Sequence, residues 1–600
     1  MVAAGLALSG GTVRVMDATG KVFSSGKPVS ATGGYGPITL TGGGPYRVEA
    51  CGSVAHKPLC LWGATTLGGT LNLTPLTSAL TVLAGGQGPE LLMNGAVKGL
   101  SDAALSSAQT QLRAALAPVL ADAGLAADFD LLTGALTPAS HTGYDRLLDQ
   151  LELAFGTDTQ AFVTLTPRLG TGQATLDANG TQGSLALDPA AANFDFAGID
   201  SLYAAMNTAM ATVGSCQLGL TALFDANARA SVDSLTFANA GQSAQLLCLR
   251  LNGTLGATGE VLFGGKLLPA LIDRCDFGAG DPLCRVSFVF QNSKGLLRPL
   301  GIEQAVVKRP SGWAFLGNRL EVQASAVARL VRTQRVDNLA ADLYARYLDI
   351  RIPYVNLNSA GDLQCARVSQ KDSTGADLSL ALYKRTGTAS TADPLLSLWS
   401  TSSSDATPSL DPAAGTTRGA GAVSLPLSGP SGDAVARNLT RVGRALKVEL
   451  FSDSACSLPL AGADGASLSI NLAGSLPVSA SSLNGQAWPQ LTAASGTALA
   501  ALKAAAASKL SYSPIWTLSR GGSAMNRAQL CGDAACNLKL AELELAAGAT
   551  TAALSGTLGP SAVNAADYKL LRLTARTTDG LLLQLDATAC TAQAIGLPCP

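Results

Sequence analysis

Short runs of alternating apolar and polar residues, broken by Gly and Pro, open the chain. Thr12-Val-Arg-Val-Met16 sets Val13 and Val15 on one face, and Asp17-Ala-Thr-Gly20 supplies a turn. Ile38-Thr-Leu40 and Tyr46-Arg-Val-Glu-Ala50 read as further strands on either side of Gly42-Gly-Gly-Pro45. Strands of this length and punctuation predict a small β-sandwich over residues 1–73. The period then becomes helical, and 74–155 reads as a helical connector. Thr74 is an N-cap before Pro75, opening Leu76–Leu83, with Gly85-Gly86 as the stop. Ser101 caps Asp102–Leu116, where Leu105, Leu112 and Leu116 recur at helical spacing; Pro118 is expected to kink or end this helix, and Gly124 to stop it. Tyr144–Leu151 repeats the pattern with Leu147, Leu148 and Leu151 on one face.

Residues 156–350 mix both periods. Asn179-Gly180 lies between Ala174–Leu176 and Ser184–Leu187 as a hairpin signal, and Ile199–Val213 reads as a helix. Strands are expected over Gln245–Asn252, Glu260–Leu268, Arg285–Gln291, Gln304–Lys308 and Trp313–Val322, giving an α+β domain with a cone-like curved sheet as one option. Residues 351–475 read as a sandwich-like domain with strands at Leu378–Lys384, Leu446–Phe451 and Leu468–Leu472. Residues 476–600 add an Ala-rich helix, Ala498–Leu510, to a last sandwich-like domain. It closes on the hairpin Lys569–Arg576 and Leu581–Asp586 around Asp579-Gly580. The fold class expected is mainly β with α+β parts, in several immunoglobulin- or transthyretin-like sandwiches joined by short helices, and the last two are read as distant copies of one sandwich.

The twelve cysteines add a compartment to this picture. Cys51/Cys60, Cys275/Cys284 and Cys590/Cys599 share one spacing, Cys531/Cys536 is closer, and Cys216, Cys248, Cys365 and Cys456 remain. An even count in close couples reads as local disulfides, with 216 joined to 248 and 365 to 456 in the simplest pairing. Zinc would need His or a second close pair beside Cys531/Cys536, and a redox site would need C-x-x-C. Structural disulfides imply export, to the extracellular or outer-membrane surface or the periplasm. Because MVAAGLALSGGTVRV carries no charged signal-peptide head, the export signal, or a lipid anchor, is expected upstream of Met1.

The run GTVRVMDATGK…ATGGYGPITL…GPYRVEACG resembles a carboxypeptidase regulatory-like, transthyretin-type domain. Followed by Asn72-Leu-Thr-Pro-Leu-Thr77 and Gly143-Tyr-Asp-Arg-Leu-Leu-Asp149, it is similar, over about 1–155, to a group of exported Gram-negative proteins, often lipoproteins, whose function is largely unassigned. The resemblance implies location and fold. It implies no activity, since the regulatory-like domain is not the catalytic part where it accompanies peptidases.

Charge and chemistry narrow function further. Net charge is −1 and charged residues are 14% of the chain, without a basic block, so nucleic-acid binding has no electrostatic footprint. No apolar run reaches the roughly 20 residues of a membrane-spanning helix. His56 and His141 are the two histidines, each read as an ordinary loop residue. Ser24-Ser-Gly-Lys27 and Gly259–Lys266 match catalytic and phosphate-loop spellings without their companions. Asp145 and Asp149 read as a solvated helix face and Asp195 and Asp200 as flanks of Phe196-Ala-Gly; no Asp/Asn-dense calcium loop is present, Asp128-Phe-Asp130 being the nearest approach. Trp62, Trp313, Trp399, Trp488 and Trp516 read as core anchors, with Trp313 a possible ligand contact. No catalytic, cofactor or metal residue is assigned. The expectation is a non-enzymatic surface or matrix protein acting by adhesion, scaffolding or self-assembly on other proteins, copies of itself or surface glycans. The alternatives are a binder of extracellular small molecules or glycans and a carboxylate-based hydrolase.

Overall fold

The computed structural model describes residues 1–55, 57–93, 99–157, 160–211, 216–226, 266–278, 280–287, 289–291, 297–299, 304–317, 322, 324–337, 341–354, 363–372, 374–386, 395–402, 407–419, 421–441, 445–460, 467–474, 476–477, 479, 483–502, 509–518, 523–534, 536–545, 549–557, 568–577 and 580–590. The fold is mainly β, in several antiparallel sheets with helices packed on them. Residues 9–65 form one four-stranded sheet in the order Val22–Pro28, Ser9–Met16, Tyr46–Val54, Lys57–Thr65. Val13, Val15, Val48 and Ala50 share its core with Leu61, Leu71 and Leu73. Ile38–Leu40 is irregular chain, not a strand.

Helix α1, Pro75–Gly85, is buried over Leu76–Val82, polar residues included. A helix covered all round must satisfy its polar side chains internally. Thr74 and Thr77 therefore form a reciprocal cap, Ser78 Oγ accepts the Trp62 N–H at 2.9 Å, and Gly86 ends the helix in the left-handed region. On its far side lie α2, Asp102–Asp122, and a second sheet in the order Gly180–Leu187, Gly170–Asp177, Ala161–Pro167, Leu151–Thr157. Leu80, Leu112, Leu116, Leu147, Val163 and Leu176 meet in one core, so the helices are half of a layered unit. The expected division at 155/156 falls inside the strand Leu151–Thr157.

Two local expectations shift. Helix α2 runs through Pro118, which with Ala114 faces solvent while Leu112, Leu116, Val119 and Leu120 are buried opposite. Packing on the buried face outweighs the roughly 3 kcal/mol a helical proline costs. The hairpin turns on Ala178-Asn179, with Gly180 already paired to Asp177. A short helix, α3 (Gly143–Asp149), precedes this sheet, and α4 (Phe196–Ala211) follows it. Helix α4 covers a third sheet ordered Leu271–Asp276, Leu283–Ser287, Gln304–Arg309, Gly312–Gly317. The strand expected at Gln245–Asn252 lies outside the described residues.

Residues 322–589 share one core and, among the described residues, one 13-stranded sheet. Within it the same pattern occurs twice. The hairpin Cys365–Lys384 lies beside Ala445–Phe451, and the hairpin Tyr568–Cys590 lies beside Ser523–Cys531. The registers correspond: Cys365 faces Phe451 and Arg367 faces Glu449, as Leu570 faces Cys531 and Arg572 faces Gln529. After each inner strand comes the same turn, LFSDSACSLPL over 450–460 and LCGDAACNLKL over 530–540. Asp453 accepts the N–H groups of Ser457 and Leu458, Asp533 those of Asn537 and Leu538, and Cys456 and Cys536 both take positive φ, 57° and 61°.

The strand Ser325–Arg335 joins the two half-sheets. Leu343–Arg351 lies along one side of it, and the other side pairs in parallel first with Leu472-Ala473 and then with Leu582–Thr588. Where one partner gives way to the other, a Cβ on Gly474 (φ +90) would sit 2.4 Å from the Leu581 Cα. Gly474→Ala should therefore cost about 3 kcal/mol or more. Gly421→Ala, at φ +71 in open space, should cost about 1. Urea unfolding of the two variants measures both; equal losses would mean that the crossing is not closely packed.

Candidate functional site

The loop before α3 carries His141 at φ +54, and the two helices around it hold the ring between carboxylates. Nδ1 lies 2.7 Å from Asp149 Oδ2 at the end of α3, and Nε2 lies 3.0 Å from Asp200 Oδ2 on α4. The ring stacks on Phe196 at 5.4 Å, and the Arg146 guanidinium lies over the same Phe196 ring, 5.5 Å from its centroid, and is ion-paired to Asp122 at 2.8 Å. Asp145, in the first turn of α3, accepts the His141 N–H on Oδ2 at 2.8 Å. Gly5, at φ +79, closes the floor: a Cβ there would lie 2.3 Å from Asp149 Oδ1.

The electrostatics follow from this geometry. Hydrogen bonds from Asp149 and Asp200, against partial burial, push His141 up to about 10. Burial, and then the charge of Asp149, pushes Asp145 up to about 6. Burial also raises Asp149, with His141 and Arg168 pulling the other way. A ring with both nitrogens donating to carboxylates has no free nitrogen to take a proton from a nucleophile, so the geometry does not make a catalytic base. The donor set does fit a cation: ring nitrogen and one oxygen each of Asp145 and Asp149 lie within 4.8 Å of one another.

The solvated face expected for Asp145 and Asp149 is thus corrected. Asp145 is wholly buried and the Asp149 side chain is 14% exposed, because the sheet, α4 and the N-terminal residues cover α3 from several sides. Asp145 and Asp149 stand one helical turn apart on α3, while His141 lies in the loop before it. Asp195 does not join Asp200; it accepts the Gly198 N–H at the start of α4 and pairs with Lys308. Asp130 folds back on the N–H of Leu132 in an ordinary Asx turn. Trp313 is 8% exposed, packs 5.5 Å from the Phe194 ring and donates its Nε1–H to the Asp195 carbonyl at 3.2 Å.

Disulfides join Cys51 to Cys60, Cys275 to Cys284, Cys365 to Cys456 and Cys531 to Cys536. Cys248 and Cys599 lie outside the described residues, and so do the links expected from them to Cys216 and Cys590. His56 and the stretch 251–265 lie outside them as well. No helix among the described residues is long and apolar enough to cross a membrane.

No family model matches the chain, and no curated protein matches it in sequence. Among solved structures it is similar to a tetra-tandem repeat from the extending region of a large adhesion protein, at 12% identity over 98% of this chain and 92% of that one, with a TM-score of 0.13. A 1.5-MDa bacterial ice-binding adhesin matches at 8% identity over 73% and 96%, TM-score 0.13. A Ca2+-stabilized adhesin of an Antarctic bacterium matches at 10% identity over 72% and 93%, TM-score 0.12. Likenesses with TM-scores this small establish neither fold nor function.

The His141 pKa lies above its unfolded value, so the stabilisation it provides is full below pH 6.5 and is lost as pH rises through about 10. In EDTA-treated protein at pH 8, nitrogen-detected NMR of labelled histidine should show both His141 ring nitrogens protonated. A ring titrating near 6.5 would remove the two-carboxylate clamp.

Proposed function

We propose that the chain is an exported, non-enzymatic protein of a bacterial surface or extracellular matrix that acts by contact: adhesion, scaffolding or self-assembly. The observation that carries this reading is the core of residues 322–589, where two like half-sheets are fused through one strand into a single sheet and braced by Cys365–Cys456 and Cys531–Cys536. Disulfides persist in oxidising compartments, which supports export. A continuous sheet crossed by the Arg329–Asp349 and Arg572–Asp586 ion pairs supports a rigid body. Within this reading, residues 1–73 are a carboxypeptidase regulatory-like unit at one end of the chain. The hydrolase alternative loses its carboxylate pairs, since Asp145, Asp149 and Asp200 surround a histidine and Asp195 pairs with Lys308. The glycan alternative has little support at Trp313, whose ring is covered.

Purified chain with its disulfides intact should self-associate in sedimentation experiments, or be retained on bacterial cells or matrix, and should appear outside the cytoplasm when cells are fractionated. A chain that stays monomeric at tens of micromolar and binds neither cells nor matrix sinks the contact reading.

A further inference from the structure

The His141 pocket contains one atom that the protein leaves unanswered. Asp145 is 0% exposed; its Oδ2 takes the His141 N–H and the Ser140 N–H also draws on the carboxylate, but Oδ1 is buried with no hydrogen bond of ordinary geometry. Leaving a buried polar atom unpaired costs on the order of 1–3 kcal/mol, more when it carries charge. A cation is the partner such an oxygen calls for.

We propose that His141, Asp145 and Asp149 bind a divalent transition-metal ion of the Zn2+ class, through Nδ1 and one carboxylate oxygen from each aspartate, with solvent completing the shell. The three donor atoms already lie within 4.8 Å of one another, and all come from one short stretch of chain, so little ordering is needed to bring them together. Asp200 supplies what a metal-bound imidazole ordinarily has, a carboxylate 3.0 Å from the ring's other nitrogen that fixes the tautomer with the proton on Nε2. One nitrogen and two carboxylate oxygens favour Zn2+, Co2+ or Mn2+ over Ca2+ and Mg2+, which prefer all-oxygen shells. The His141 and Asp149 side chains are 20% and 14% exposed, which leaves a path from solvent. On binding, Nδ1 releases its proton to solvent and the ring becomes neutral. The ion's two positive charges, with nearby Arg168, then balance Asp145, Asp149 and Asp200. The ion would tie the 137–143 loop to α3 and, through the ring and Asp200, to α4.

The test uses the full chain, oxidised, stripped with EDTA and titrated calorimetrically with ZnCl2, with Co2+ as an optical probe. One equivalent of Zn2+ should bind. Asp145→Asn and His141→Gln should each weaken it by about 100-fold or more, Asp200→Asn by about 10-fold, and His56→Gln not at all. Saturable binding that survives both Asp145→Asn and His141→Gln places the ion elsewhere and overturns the proposal, as does the absence of saturable binding. Should those variants fail to fold, the wild-type chain still decides: saturating Zn2+ must convert His141 from two protonated ring nitrogens to one, on Nε2. Two protonated nitrogens under saturating Zn2+ refute the site.

Discussion

The strand Ser325–Arg335 is the constraint on which the larger half of the molecule depends. Its ladder partners lie far along the chain, and Arg329 alone reaches a glutamine 255 residues away, Gln584, while holding Asp349 at 2.6 Å on the neighbouring strand. Ala326, Ala328 and Leu330 turn into the common core and Arg329 turns to the other face, where it meets Asp349 and, two strands away, Arg572 meets Asp586 at 2.9 Å. Parallel pairing over such separations forms only after the costly closure of long loops. Neither half-sheet can bury its inner face alone, so the linking strand and both halves must assemble together.

Each half carries its own answer to that cost. In one, the cysteine at the Asp–x–x–Cys turn reaches across to Cys365 on the adjacent strand; in the other it returns to Cys531 on its own strand. Leu570 occupies the place of Cys365, and Phe451 the place of Cys531, so the small cores around the two turns are filled by exchanged roles at matching positions. A frame that tolerates this exchange is held first by its ladder and turn geometry. Its disulfides then tighten a shape that already exists, chiefly by restricting the unfolded chain.

What could be read in the sequence was local. The caps at Thr74 and Ser101, the strands at Gln304–Lys308 and Leu446–Phe451, the last hairpin and the cysteine couples all rest on residues within a few positions of one another. The helix does not end at Pro118 and Asp145 is not solvated, because propensity describes an exposed face while the packing that decides the outcome comes from distant residues. The linking strand has no local signature at all, since alternation along Ser325–Arg335 says nothing of which strands lie beside it. His141 was invisible as a site for the same reason. Asp145 and Asp149 stand one helical turn apart on the helix after it, but Asp200 arrives only when α4 packs against α3.

That packing also decides what the cluster can do. Catalysis by a histidine needs one nitrogen turned toward a reacting group and a ring free to change protonation as the reaction proceeds. Here both nitrogens are engaged, one on each helix, and Phe196 fixes the plane of the ring. Whether the Nδ1 position holds a proton or an ion, the ring spans the same two helices, and the change is in how tightly they are joined. A residue so placed joins α3 to α4 through its side chain, as the linking strand joins the two half-sheets through its ladder.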